Sequence, residues 1–267
     1  MRSPQDILSI LRVVAQTDCI VIGGQAVNLW SERYQKPEPP WSDLQPFTSI
    51  DLDLLGSRRE VLAAAELLRT TPLLPGPDEN TVNAGKLRVP TEAGELEIDV
   101  VHTANGINTQ EAFETAPTLA FQNVRLRVLH PVLCIESKTV NLATLPQDCD
   151  YRQDLKHLRL SIANAREYLA ELTVEGKNAA ALIRWAKRLR RDATHQLGLN
   201  AARRHGLNFQ QAIPKILWEQ TTGPLADFIK AQWAAWTDEV SRKLEEELEI
   251  ERWLRDLQSR PLKNPEA

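Results

Sequence analysis

Two carboxylates one residue apart, Asp51 and Asp53, stand in the run Ser49-Ile50-Asp51-Leu52-Asp53-Leu54-Leu55-Gly56. In a strand, residues two apart project from one face, so both acids point one way while Ile50, Leu52 and Leu54 point into a core. Like charges at that spacing repel each other. A divalent cation held between them removes the repulsion, which is what Mg²⁺-dependent phosphoryl chemistry requires. The competing reading is a strand end whose acids simply face water. A second acidic segment, Glu95-Leu96-Glu97-Ile98-Asp99-Val100-Val101, repeats the pattern with Glu97 and Asp99 on one face. A third carboxylate beside the first two would complete a two-metal site. The spacing does not choose between Glu97 and Asp99; Asp99 is preferred because it sits deeper in the apolar run.

Upstream, the apolar run Ile20-Val21-Ile22 ends in Gly23-Gly24 and leads into a helical pattern. Paired glycines at a strand-to-helix turn expose backbone N–H groups and a helix dipole to a phosphate, although such glycines are also common for structural reasons. Neither a G-x-G-x-x-G fingerprint nor a G-K-[ST] P-loop is present. His102, His130, His157, His195 and His205 show no metal-ligand spacing and read mostly as surface or satisfied groups.

These residues need a scaffold. Apolar periodicity predicts a helix over 5–15 behind a capping Ser3-Pro4, a short strand over 19–22, and a helix from Gly24 to about Tyr34. A proline-rich loop, 36–48, precedes the Asp51/Asp53 strand, and a helix near 58–68 follows it. Segments 82–89 and 95–101 read as a hairpin joined through Pro90-Thr91-Glu92-Ala93-Gly94. A short helix near 109–114 and a strand near 124–129 come next. From Pro131 the pattern is helical nearly to the end, with a last helix over about 225–257.

The 267-residue chain is long enough for one large domain or two modest ones. Its 42% hydrophobic and 25% charged content argues against disorder as its main character. No N-terminal apolar h-region stands out, and no run approaches the roughly 18–20 apolar residues of a membrane span. Cys19, Cys134 and Cys149 fall in no paired spacing and read as free thiols, which points to the cytoplasm and to no membrane partner. The net charge of −4 is uneven: residues 1–150 hold 12 Lys and Arg against 20 Asp and Glu, whereas 151–267 hold 20 against 16. Residues 151–215 alone hold 13 basic against 5 acidic residues. The run Arg184-Trp185-Ala186-Lys187-Arg188-Leu189-Arg190-Arg191 could track an RNA backbone, or form a solvated helix face. Trp218, Trp233, Trp236 and Trp253 read as core residues.

A strand ending in Gly-Gly, a helix, an Asp-x-Asp strand and a later third acid together resemble the nucleotidyltransferase fold of DNA polymerase β-type enzymes. The wording Gly23-Gly24-Gln25-Ala26-Val27-Asn28-Leu29-Trp30, then Thr48-Ser49-Ile50-Asp51-Leu52-Asp53, resembles AbiEii/AbiGii-type toxins and minimal nucleotidyltransferases over roughly residues 15–160. The resemblance implies an α+β fold with a mixed sheet flanked by helices; together with the helical pattern after Pro131, the expectation is a catalytic domain over 1–130 and a helical domain over 131–267 completing the cleft. It also implies that Lys138 touches the triphosphate and that Asp154, in Tyr151-Arg152-Gln153-Asp154, orients it. A structural ion pair of Lys138 with Asp154 or Glu136 is the alternative.

The implied activity is NMP transfer from an NTP to an RNA (tRNA) or protein hydroxyl. Mg²⁺, or Mn²⁺ in its place, would sit on Asp51, Asp53 and Asp99, with phosphates on Gly23 and Gly24. A toxin–antitoxin setting with a cognate antitoxin as partner is part of that expectation. Two departures bear on substrate: the loop before Asp51 is unusually long and proline-rich, and Gln25 stands where many relatives have serine or threonine. The rivals are a catalytically silent nucleotide- or partner-binding module, against which the intact acids argue, and a small-molecule (antibiotic) nucleotidyltransferase, which an acidic acceptor pocket would favour.

Overall fold

The computed structural model describes residues 1–76, 78–91, 94–145 and 153–259. In chain order the elements are α1 (Leu8–Val14), β1 (Ile20–Val21), α2 (Gly23–Tyr34), β2 (Leu52–Leu55), α3 (Arg58–Leu68), β3 (Asn83–Thr91), β4 (Gly94–Val101), α4 (Thr109–Thr115), β5 (Thr118–Phe121) and β6 (Val124–Arg127). Then follow α5 (Pro131–Thr144), α6 (Asp154–Val174), α7 (Ala179–Thr194), α8 (Gln196–His205), α9 (Lys215–Gln220) and α10 (Pro224–Ser259). The architecture is mixed α/β, with a four-stranded mixed sheet, a two-stranded sheet and a helical C-terminal region. No helix among the described residues is long and apolar enough to cross a membrane.

The chain divides into two compact units: Met1–Glu175 with Gln211–Pro214, and Gly176–Gln210 with the chain from Lys215 onward. Residue 130, the expected end of the catalytic domain, falls inside the first unit. The reason is packing, because α6 lies against α2 and α5. Asn164 of α6 donates to Val27 O (3.3 Å) and Ser31 Oγ (3.0 Å) of α2, and accepts from Trp41 Nε1 (3.1 Å). Trp41, fully buried, thereby ties down the proline-rich loop, and Lys156 Nζ adds a 2.7 Å bond to Pro46 O.

The main sheet runs β1-β2-β4-β3, with β2 and β4 parallel and the other pairs antiparallel. Alternation decides its two faces. Leu52, Leu54, Leu87, Leu96, Ile98 and Val100 are buried on one, while Asp53, Asp99, Glu97, Lys86 and Arg88 share the other. Helix α3 starts with a capping box in which Ser57 Oγ accepts from Arg59 N and Glu60 returns to Ser57 N.

Three local expectations are revised. Asp51 lies one residue before β2, and Ile50 is 41% exposed instead of buried. The chain at Ser49 is held in a two-bond bridge to Arg2, so it bends into the ladder only at Leu52. Helix α1 starts at Leu8 and not at residue 5, because Asp6 accepts from Ser3 N and Oγ and closes a separate turn. Strand β5, absent from the sequence reading, pairs with β6.

Candidate active site

The sheet register assembles the site. Asp53 of β2 pairs with Asp99 of β4, and Asp99 pairs with Lys86 of β3, so three charged side chains form one row across three strands. Asp51 joins from just outside the ladder. Carboxylate oxygens of Asp51, Asp53 and Asp99 all lie within 4.8 Å of one another, close enough to bind one metal ion. Like charges directly opposite in a sheet are destabilising. The strain falls on Asp53, whose pKa is pushed up to about 7 by burial first and the Asp51 charge next, with Lys138 pulling it down and Asp99 adding to the rise. A half-buried carboxyl raised in this way beside two others is one whose charge an added cation would stabilise.

Asp99, not Glu97, is the third member. Glu97 stands two residues back on β4, where it accepts from Lys86 Nζ at 2.8 Å and lies 3.5 Å from Arg88 Nε. Those cations, Lys86 first, hold its carboxyl below the usual range. Asp99 Oδ1 is buried and accepts no well-formed hydrogen bond; its close cation is Lys86 Nζ, 2.9 Å away. A hard divalent ion favours oxygen ligands, and this set offers three carboxylates within reach of one ion. The residues therefore fit a metal.

Gly23 is required by both conformation and space. Its φ is +64°, and a Cβ there would run into the Asp53 carboxylate. The backbone of the β1–α2 turn thus passes directly over Asp53, with Ile22 N donating to Asp53 O at 3.0 Å. At Gly24 a Cβ would meet Ser49 Oγ at 2.5 Å and His157 Cε1 at 2.9 Å. No side chain caps α2, so its first N–H groups are not covered by one. Gly24, Asp51 and Asp53 border a cavity of about 210 Å³ that Lys138, Asp154 and His157 also line. All of these belong to the first unit. Gly23 does not line the cavity directly; it shapes the turn.

Lys138 and Asp154 form a buried pair, Nζ to Oδ1 3.1 Å, with side chains 8% and 6% exposed. The ion-pair alternative is thus present, and the same lysine lines the cavity. Arg152 and Tyr151 of the same motif, Cys149, and Glu92 and Ala93 of the expected hairpin turn lie outside the described residues. Cys19 and Cys134 are buried free thiols, raised to about 11 and about 12 by burial, so neither is a nucleophile.

Two residues escaped the sequence reading. Lys86 could have been found by counting: once Thr91 pairs with Gly94, five residues back along each strand bring Lys86 to Asp99. His157 is 4% exposed, lines the cavity and has an Nε2 with no partner. Burial, then Lys138 and Lys156, hold its pKa well below the usual value, so it is neutral. Its signal was its position one helical turn after Asp154. A polar side chain left unpaired in a cavity wall is costly unless a ligand supplies the partner.

No protein-family model matches the chain, and a search of curated protein sequences gives no match.

Proposed function

We propose that the protein is a metal-dependent nucleotidyltransferase, moving an NMP from an NTP to an acceptor hydroxyl and releasing pyrophosphate. The observation that carries this reading is the convergence of Asp51, Asp53 and Asp99 within 4.8 Å, beside a glycine turn at the start of α2. The motif resemblance to AbiEii-type and DNA polymerase β-type nucleotidyltransferases, and the mixed sheet with its helices, support the same reading.

Asp51, Asp53 and Asp99 would hold Mg²⁺, with Mn²⁺ as a substitute. When bound, the ion neutralises phosphate charge and makes the acceptor hydroxyl more acidic. Gly24 lets the triphosphate approach the backbone at the α2 N-terminus, where N–H dipoles favour an anion. Lys138 contributes positive potential to the cavity wall, and Asp154 holds its ammonium in place. The acceptor oxygen forms a bond to the α-phosphorus as the α–β bridging P–O bond breaks, its electron pair leaving on pyrophosphate. Asp99 takes the hydroxyl proton. Neutral His157 closes one wall of the cavity and limits water there.

Basic charge on α7 and α8 is a weak guide to the acceptor, because Arg190 is paired with Glu239 and Arg203 with Glu251. RNA, protein and small-molecule hydroxyls all remain within the proposal, as does a toxin role with a cognate antitoxin in the cytoplasm. The test supplies each α-labelled NTP with Mg²⁺ and total tRNA, cell protein or an aminoglycoside in turn. Label on one acceptor, matched by released pyrophosphate and abolished in Asp51→Ala, is the expected result. Tight NTP binding with no pyrophosphate released on any acceptor would instead identify a binding module.

A further inference from the structure

The carboxylate cluster already faces a cation of its own. Lys86 stands opposite Asp99 in the β3–β4 register, and its Nζ lies 2.9 Å from Asp99 Oδ1 and 2.8 Å from Glu97 Oε1. One ammonium therefore spans two acids on the same face of β4, of which Asp99 belongs to the cluster and Glu97 does not. The ammonium thus donates to Glu97 at 2.8 Å and pairs with Asp99 Oδ1 at 2.9 Å. Both acids hold the ammonium, and their contacts raise the lysine's pKa, Glu97 first. The Lys86 side chain is 34% exposed, and its flexible stem gives the head room to move toward Glu97 and solvent.

A second cation cannot share Asp99 Oδ1 with that ammonium at little cost. A divalent ion and an ammonium a few Å apart repel each other at the dielectric of a partly exposed site. Glu97 is not a ligand, yet it offers the displaced ammonium a hydrogen bond it already makes.

We propose that Lys86 is the resident counter-ion of the cluster, yielding Asp99 to an incoming divalent ion and retreating onto Glu97. Lys86 then sets metal affinity by competition, and Glu97 is a positioning residue acting through Lys86. The proposal rests on the reading of Asp51, Asp53 and Asp99 as metal ligands.

The test measures Mn²⁺ binding from the free-ion electron paramagnetic resonance signal, with Mg²⁺ competition, on the full chain without nucleotide. The wild-type chain is compared with Lys86→Met, Lys86→Gln, Glu97→Gln, Lys86→Met/Glu97→Gln and Asp51→Ala. Both Lys86 variants are expected to bind Mn²⁺ about tenfold more tightly, because a competing charge has gone. Glu97→Gln should bind about threefold more weakly, and that loss should shrink to less than about twofold once Lys86 is methionine. Unchanged or weaker binding in both Lys86 variants, with binding still lost in Asp51→Ala, overturns the role of Lys86 and leaves the metal site standing. An equal Glu97→Gln loss in both backgrounds overturns the role of Glu97 as a holder for Lys86. No Mn²⁺ binding by the wild-type chain, with its fold intact, overturns the metal reading and this proposal together.

Discussion

The acidic face of the main sheet and the basic helices of the second unit treat charge in opposite ways. In the second unit, Arg190 reaches Glu239 Oε2 through Nε and Nη2 at 2.8 and 2.6 Å and donates to Gln232 Oε1 at 3.1 Å. Arg203 pairs with Glu251, and Lys243 lies 3.8 Å from Glu239. A segment that looks strongly basic in sequence is thus partly neutralised by acids arriving from α10. On the sheet face the imbalance survives folding: Asp51, Asp53 and Asp99 face Lys86, which Glu97 shares, and Lys138, which Asp154 engages. The contrast teaches that charge density along a chain is a poor guide to ligands. Charge still uncompensated after packing is a better one.

The severest way to break this contrast is to remove an acid from the cluster. Asp51→Ala or Asp53→Ala should lower Mn²⁺ affinity by about a hundredfold or more and abolish nucleotidyl transfer, on the scale of losing a metal-anchoring group. Titrating Mn²⁺ and measuring pyrophosphate release check this, and near-wild-type values would remove the cluster from the chemistry. The next largest effect concerns Lys138. Lys138→Met takes the ammonium away from a carboxylate that is 95% buried, so denaturant unfolding should show a loss of about 3–5 kcal/mol. A loss below about 1 kcal/mol would show that Asp154 does not depend on this pair.

A pH series then isolates the unbalanced charge. The folded-state pKa of Asp53, about 7, lies above its ordinary value of 3.8. Between those values the folded chain holds a proton that the unfolded chain has released, so this group makes stability fall as pH rises through the window. Melting temperature without divalent ions should show that fall in the wild type relative to Asp53→Asn, and saturating Mg²⁺ should offset it at neutral pH. Parallel profiles for the two proteins would deny the raised pKa. The smallest effect is expected in the second unit, where a double-mutant cycle on Arg190→Ala and Glu239→Ala should give a coupling of about 1 kcal/mol or less. A much larger value would mean that this pair is structural to a degree its partial exposure does not suggest.

Much of the site was legible because it depends on local periodicity. Asp53 and Asp99 each alternate with buried apolar residues, and that pattern alone placed them on one face of their strands. Gly23-Gly24 was legible as a tight turn, and α3 matched its expected range because its apolar spacing and caps agree. Ile50 misled because alternation does not say where a ladder begins; the Arg2–Ser49 bridge decided that. The reach of the first unit to Glu175 was hidden for a similar reason, since a helical pattern over α6 does not say which helices it packs on.

By itself, the sequence determined which residues could be acids on a strand face, which turn could pass over them, and that helices dominate after Pro131. Tertiary structure alone decided the meeting of Asp53 with Asp99 and the placing of Lys86 opposite it. It also set His157 in the cavity wall and partnered Arg190 and Arg203 with acids more than forty positions away. The physical reason is range. Propensity and periodicity act over a few neighbouring residues, whereas strand register and ion pairing join segments whose separation leaves no trace in local pattern.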